Sequence, residues 1–271
     1  MDLGLQERRA FVAGASSGLG KAVAERLLRE GARVAVCSRS AIRIGEAAED
    51  LRRTTDAAAE DVLGVECDVT DDKAVRSAVD RAAEHFGGLD LLVANAGGPP
   101  AGTVDDFDAD DWRSALDLNL MSTINLTRAA LPHLRRSAEA GEPPVSILMI
   151  TSLSAKQPVP GLYLSNVSRA GVQGFAKSLS EEVGASGITV NTILPGYTRT
   201  DRLSHLSEHL STRSGRTVEE VEADWARNSA LRRIGTEEEF AAAAAFLLSR
   251  PASFITGVAL PVDGGAIKSL L

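Results

Sequence analysis

Several things are scarce in this sequence, and each scarcity excludes something. There are only 2 cysteines, Cys37 and Cys67. Each lies inside an apolar, strand-like run, so a pair of buried thiols is expected in place of a disulfide or a metal centre. No run reaches the roughly 18 apolar residues that a membrane span requires. Basic residues are the minority, 29 Lys and Arg against 37 Asp and Glu, for a formal net charge of -8. That balance argues against a nucleic-acid binder, which needs clustered cations to offset phosphate, and instead favours solubility. The opening stretch, MDLGLQERRAFVAGASSG, carries charges inside any apolar stretch and lacks a signal-peptide core. A cytoplasmic protein without nucleic-acid or membrane partners is expected. No linker rich in Pro, Gly or Ser separates two parts, so residues 1–271 are expected to form one domain.

What is present is regular. The chain is 44% hydrophobic, enough for a substantial core, and 24% charged without polar low-complexity tracts. Short apolar runs at 9–13, 34–37, 62–67, 91–95, 146–151, 189–194 and 258–262 read as strands. Helical spacing fills the gaps at 19–29, on to about 53 after the second strand, and at 73–86, 111–136, 165–183 and 237–249. Residues 141–144 read as a turn. Strands that are apolar throughout belong to a parallel sheet covered on both faces. Strict alternation then predicts an α/β fold, a doubly wound Rossmann-type sheet of about seven strands with helices on both faces. The stretch 198–228 falls outside the pattern and is predicted to be a partly helical lid on the ligand side.

The first strand runs straight into Gly14-Ala15-Ser16-Ser17-Gly18-Leu19-Gly20 and then a helix. Glycines permit the tight turn and a close backbone approach to a pyrophosphate, and the helix start offers free N–H groups and a positive dipole end. The alternative is a plain strand-to-helix turn, but the context is the one a dinucleotide site needs. About 20 residues on, an NAD-preferring site carries an acid for the ribose 2′-hydroxyl. Here Ser38 and Arg39 stand instead, a pair that accepts a 2′-phosphate, so NADP(H) is favoured over NAD(H). Arg39 as a solvated surface residue is the alternative.

Gly14-x-x-x-Gly18-x-Gly20 resembles the glycine motif of the short-chain dehydrogenase/reductase family, and further marks follow in order along nearly the whole chain. Cys67-Asp68-Val69 is similar to the family segment whose Asp contacts adenine. Asn95-Ala96-Gly97 resembles the turn after strand four. Asn119, in Asp117-Leu118-Asn119-Leu120, resembles the helical Asn that holds a water in a proton relay. Thr151-Ser152 ends strand five, where a substrate-orienting Ser is expected. Pro195-Gly196-Tyr197-Thr198-Arg199-Thr200 resembles the loop closing over nicotinamide, with Pro195, Gly196, Thr198 and Thr200 as cofactor contacts. Val262-Asp263-Gly264-Gly265 resembles the terminal motif. Residues 170–201 most resemble 3-oxoacyl-acyl-carrier-protein reductases. The resemblance implies hydride transfer between nicotinamide and a small carbonyl or alcohol substrate.

One departure stands out. The family's catalytic Tyr and Lys lie four apart on the helix after strand five. Registering that helix on Ala170-Gly171-Val172-Gln173-Gly174-Phe175 puts Ser165 at the Tyr position and Arg169 at the Lys position, thirteen and seventeen residues after Ser152. A phenol with a pKa near 10 is tuned toward neutrality by an adjacent cation, whereas an aliphatic hydroxyl is a far poorer acid. Arg169 keeps the charge and a reach to the nicotinamide ribose, but its planar fork does not replace an ammonium. Two proton sources remain: Tyr163, two residues earlier, or a Ser152–water relay. Tyr163 equally suits packing against the lid or a neighbouring subunit. A nucleotide-binding protein with little or no redox activity, a sensor or an oligomer partner, is the other reading.

His205 and His209, with Glu208 between, could hold a metal, but Leu203, Leu206 and Leu210 share their helical spacing. A lid helix with exposed histidines is the better reading, and no metal is expected. The run of five alanines at 241–245 reads as an ordinary packed helix, and the acids at 105–111 suit a helix N-terminus. Ala170, Gly171 and Gly174 give their helix a small-residue face. By resemblance it and the preceding long helix form a homodimer, usually doubled to a homotetramer.

Overall fold

The computed structural model describes residues 2–141 and 144–270, the side chains of His209 and Arg213 excepted. Two residues of the expected 141–144 turn, at 142 and 143, thus lie outside the described residues. Seven parallel strands form one sheet in the order β3-β2-β1-β4-β5-β6-β7. They are β1 (Arg9–Val12), β2 (Arg33–Ser38), β3 (Val62–Glu66), β4 (Leu91–Ala94), β5 (Val145–Ile150), β6 (Ile188–Pro195) and β7 (Ala259–Val262). The crossovers are α1 (Gly18–Arg29), α2 (Ala41–Thr55), α3 (Asp72–Phe86), α4 (Ala109–Leu116), α5 (Ser122–Glu139), α6 (Tyr163–Val183) and α9 (Glu237–Leu247). Between β6 and α9 come α7 (Asp201–Ser214) and α8 (Val218–Asn228), in the stretch that the sequence sets apart.

The two faces of the sheet follow from the period-two alternation of each strand. Ala10, Val12, Val34, Val36, Leu91 and Val93 point to one side and pack with Val23, Leu27, Ile44, Leu51, Phe240 and Ala244 from α1, α2 and α9. Phe11, Ala35, Cys37, Leu92 and Ala94 point to the other and pack with α3, α5 and α6 through Val75, Val79, Leu126, Leu134, Val172 and Leu179. Both faces are thus buried, which is why the strands are predominantly apolar, with polar residues such as Ser146, Asn191 and Thr192 tied into hydrogen bonds. The alanine-rich α9 belongs to the first of these cores. Cys37 and Cys67 are buried free thiols.

The order of strands reverses between β1 and β4, where a crevice opens outside the carboxyl ends of the sheet. The long helix expected over 111–136 runs from 109 to 139 with a change of winding inside it. A π-helical turn, Asp117–Met121, separates α4 from α5. Such turns occur mostly as single insertions, often at functional positions, and an apolar repeat does not reveal them. Gly171 on α6 lets this turn come close: a Cβ there would meet Leu120 Cδ2 at 3.0 Å. Of the three small residues on α6, Gly171 is therefore used inside the chain, while Ala170 and Gly174 face outward. The entry to α6 has no side-chain cap at Leu162. Asn166 fastens it instead, accepting from Val159 N (3.1 Å) and donating to Val159 O (3.0 Å).

Among the described residues no helix is long and apolar enough to cross a membrane. Tyr197 and Trp225 stack at 5.0 Å between ring centroids and anchor α8 over the end of β6.

Candidate active site

The glycine loop is held from behind by Asn95, whose Nδ2 donates to Ala13 O (3.2 Å) and Gly14 O (3.1 Å). Gly14 and Gly18 have φ of +59° and +62°, a region that L side chains rarely adopt. Gly20 is required by approach: a Cβ there would run into Gly14 O and stand 2.9 Å from Asn95 Nδ2. At the start of α1, Ser17 makes no side-chain cap and the first turn has no acid, so the N–H groups stay open to a ligand. Ser16 and Leu19 are half-buried beside them. Thr200, which caps α7 by accepting from Leu203 N (3.2 Å), comes to 3.9 Å of the Cβ position of Gly18. Glu237 reaches 4.0 Å of the same point. Burial, then the charges of Glu238 and Asp201, raise its pKa.

At the end of β2, Ser38 is buried and its Oγ donates to Ser40 O (3.3 Å). Arg39 is exposed and makes no hydrogen bond or ion pair with another described residue. Asp68 accepts from Thr70 N (3.0 Å) and Thr70 Oγ1 (2.7 Å). Those bonds, and more weakly the charge of Arg39, lower its pKa. Val69 follows it, half-buried.

Five elements converge at the end of β5. Ser152 accepts from Ser154 N (3.2 Å), and Ser154 Oγ shares a hydrogen bond with Ser165 Oγ (3.2 Å). Arg169, one turn beyond Ser165, donates from Nη1 to Thr151 O (2.9 Å) and Ile150 O (3.3 Å), and from Nη2 to Gly97 O (3.5 Å). Its guanidinium thereby joins the loop after β4, with Ala96 and Gly97, to the end of β5. Gln173 secures α6 further along, donating to Thr151 Oγ1 (3.2 Å) and accepting from Thr192 Oγ1 (2.7 Å). Burial and the nearby Arg202 charge pull the Arg169 pKa down to about 10. Asn119, in the π turn, is 3% exposed; its Nδ2 donates to Ala115 O (3.3 Å) and its Oδ1 has no partner. A buried acceptor without a partner is costly, and a water is the natural occupant.

Tyr163 opens α6 but is 41% exposed, and no hydrogen bond joins its hydroxyl to Ser152, Ser154 or Ser165. Two residues make about 200° of helical rotation, which puts it on the far side from Ser165. Pro195 ends β6 and Gly196 and Thr198 follow it, with Gly196 packed so tightly that a Cβ would stand 2.6 Å from Asp263 Cα. The terminal Asp263-Gly264 segment thus closes on the lid base.

Two participants escaped sequence reasoning. Ser154 lies two residues beyond the expected Ser152, and only the short turn after β5 aims it at Ser165. Arg202 follows Thr200 by two residues and donates from Nη1 to Gly98 O (3.2 Å), across the mouth from its own helix. His205 is exposed, the side chain of His209 lies outside the described residues, and among the described residues no group of three metal-binding side chains forms.

A doubly wound sheet with a glycine cradle at its switch point and a hydroxyl–guanidinium cluster beside it defines a Rossmann-type α/β protein. A family model described as enoyl-(acyl carrier protein) reductase matches residues 14–266. The 3-oxoacyl-[acyl-carrier-protein] reductase of Chlamydia muridarum is 33% identical, the match covering 96% of this chain and 98% of that protein. L-Sorbose reductase from Gluconobacter frateurii, complexed with NADPH and L-sorbose, superposes with a TM-score of 0.92 at 31% identity over 100% of both chains. An NADPH-bound short-chain oxidoreductase from Pseudomonas aeruginosa, containing an atypical catalytic center, gives 0.87 at 32% identity over 99% of both chains. The chain belongs to the short-chain dehydrogenase/reductase family of oxidoreductases, close to its 3-oxoacyl-acyl-carrier-protein reductase-like members.

Proposed function

We propose that this protein is an NADP(H)-dependent oxidoreductase interconverting a small carbonyl compound and its alcohol, with an acid–base site built on Ser152, Ser154, Ser165 and Arg169. The observation that carries it is the 3.2 Å hydroxyl pair Ser154–Ser165, set beside a guanidinium next to the glycine cradle. The cradle suits a dinucleotide: Gly14, Gly18 and Gly20 keep side chains out of the turn, and the open start of α1 offers N–H groups to a pyrophosphate. Ser38 and the unpaired Arg39 suit a 2′-phosphate, Asp68 and Val69 the adenine, and Arg169, Asn95, Ala96 and Gly97 the nicotinamide ribose. Thr198 and Thr200 suit contacts to the cofactor from a lid formed by 198–228, and residues 1–271 act as one unit. When bound, the nicotinamide supplies or accepts hydride at carbon. The protein must then hold the substrate oxygen and move one proton to or from it.

In this reading Ser152 and Ser165 bond that oxygen, and the Arg169 charge favours the negative charge that develops there. The proton reaches it along the Ser154–Ser165 hydroxyls from a water held by Asn119 Oδ1. Tyr163 stands outside this route. Its phenol and the apolar side chains of Met121 and Val167, 39% and 50% exposed, instead suit the face through which two copies of α5 and α6 pair. A homodimer or homotetramer in the cytoplasm is the form proposed.

The test is NADPH binding by fluorescence, alongside NADPH oxidation against 3-oxoacyl thioesters, diketones and quinones. Binding with turnover supports an enzyme. Tight binding without any turnover would leave a nucleotide-binding protein, a reading favoured by the lack of a phenol in the cluster. Tyr163→Phe is expected to keep kcat within about twofold; a loss of the 10²–10⁴ typical of a general acid would put the phenol back in the route.

Cofactor choice is separable. Arg39→Asp is expected to cost about 10- to 100-fold in NADPH affinity, the equivalent of one charge-assisted hydrogen bond, and to favour NADH. An unchanged NADPH/NADH ratio would mean that Arg39 is only a solvated surface residue.

A further inference from the structure

Among the described arginines of its region most pair with an acid, but Arg202 and Arg232 do not, and Arg232 turns to the carbonyl of Arg227 on its own segment. Arg199 pairs with Glu222, Arg216 and Arg227 with Asp224, and Arg233 with Glu239. Arg202 has no acidic partner among the described residues and leans instead on a neutral carbonyl, Gly98 O. Arg169 is likewise without a carboxylate, and the carbonyls of the adjacent Gly97 and Gly98 receive one guanidinium each. Two cations held close in a chain of net charge -8, where acids are plentiful, are an arrangement that folding alone does not favour. The repulsion is felt, since Arg202 contributes to lowering the pKa of Arg169.

The sheet order says where Arg202 stands. It belongs to the helix after β6, and its acceptor follows β4. β5 lies between those two strands, so the bond from Arg202 to Gly98 joins segments from either side of β5, whose end leads into Ser152 and the hydroxyl cluster. Two guanidinium groups without a carboxylate among the described residues thus hold adjacent carbonyls of the loop after β4, and one of them, Arg169, is also bonded to the end of β5 that Ser152 follows. A planar fork binds a carboxylate through two parallel charge-assisted bonds, which a carbonyl oxygen cannot match.

We propose that Arg202, with Arg169 behind it, forms an oxyanion-binding subsite, and that the substrate is an oxo acid or hydroxy acid whose carboxylate is held there. This rests on the oxidoreductase reading only for the carbonyl half of the molecule. On substrate entry Arg202 exchanges Gly98 O for the carboxylate, so that acid binding and closure of α7 are one event. Arg202 is then a specificity residue, and a neutral ketone would leave its charge without a partner.

The probes are 4-oxopentanoate, 5-oxohexanoate and 4-acetylbenzoate, each against its methyl ester. Binding to the NADP⁺-loaded protein is measured by calorimetry, with NADPH oxidation recorded in parallel. At least one acid should bind ten-fold or more tightly than its ester. Arg202→Ala should bring that ratio close to one, Arg202→Lys should restore part of it, and added salt should weaken acid but not ester binding. Acids binding no better than esters in the native protein would overturn the proposal. So would an Arg202→Ala variant that weakens NADPH itself and spares the ratio, which would assign Arg202 to the cofactor. Acid-selective, Arg202-dependent binding without any NADPH oxidation would keep the subsite and remove the redox reading. Oxidation of NADPH by ketones without acid preference would do the reverse.

Discussion

The double variant Ser165→Tyr/Arg169→Lys is expected to raise kcat for a carbonyl substrate by about 10²- to 10⁴-fold, the contribution typical of a placed general acid. The reason lies in the acid strength of the group at residue 165. Ser165 offers an aliphatic hydroxyl whose hydrogen-bond partner is another hydroxyl, Ser154 Oγ. Neither is acidic enough to protonate an alkoxide quickly at neutral pH without a chain of partners. A phenol starts near pKa 10 and falls further beside a cation. Lysine at 169 supplies a compact charge, whereas the native guanidinium is spread over three carbonyl bonds, to Ile150, Thr151 and Gly97. The variant loses part of that bracing, so its thermal stability is measured together with its rate. Equal rates in native and double variant would mean that the native relay already delivers the proton as fast as hydride moves. Activity appearing only in the variant would mean that the native site binds cofactor but lacks its acid.

Gly20→Ala is expected to reduce NADPH affinity by 100-fold or more while the fold survives. The added methyl would strike Gly14 O and crowd Asn95 Nδ2 at 2.9 Å, and neither group can step aside without opening the turn. Asn95 holds two carbonyls of that turn at once, so a shift there carries the whole loop with it. A displaced loop takes the N–H groups at the start of α1 away from the phosphates, whose binding depends on close approach and alignment. Fluorescence titration with NADPH reads the affinity, and circular dichroism with a melting curve reads the fold. Affinity within threefold of native, in a folded variant, would place the dinucleotide elsewhere.

Much of the fold was legible because it depends on local rules. Apolar strands in alternation with amphipathic helices require a parallel sheet covered on both faces, and the spacing of Gly14, Gly18 and Gly20 directly after β1 requires a tight turn into a helix. The departure at Ser165 and Arg169 was legible for the same reason: both sit on one helix, at a fixed distance from Ser152. What escaped depends on contacts between segments far apart in the chain. The apolar repeat through 111–136 reads as one helix, because a π turn adds a single residue without disturbing the pattern on either side. Tyr163 and Ser165 look interchangeable as neighbours in sequence, but the start of α6 at Tyr163 rotates one outward and the other toward Ser154. Ala170, Gly171 and Gly174 look like one surface until Leu120 arrives against the middle residue.

By itself, then, the sequence determined which elements form, how they alternate and where a nucleotide-sized turn must lie, since those follow from periodicity and backbone sterics within a few residues. The tertiary structure alone decided that Ser154 joins Ser165, that Asn119 carries a partnerless buried oxygen, and that Arg202 reaches Gly98 O next to the carbonyl that Arg169 holds. Those facts depend on strand order and on how far a side chain reaches from one crossover to another, and neither quantity is written in the spacing of a single segment.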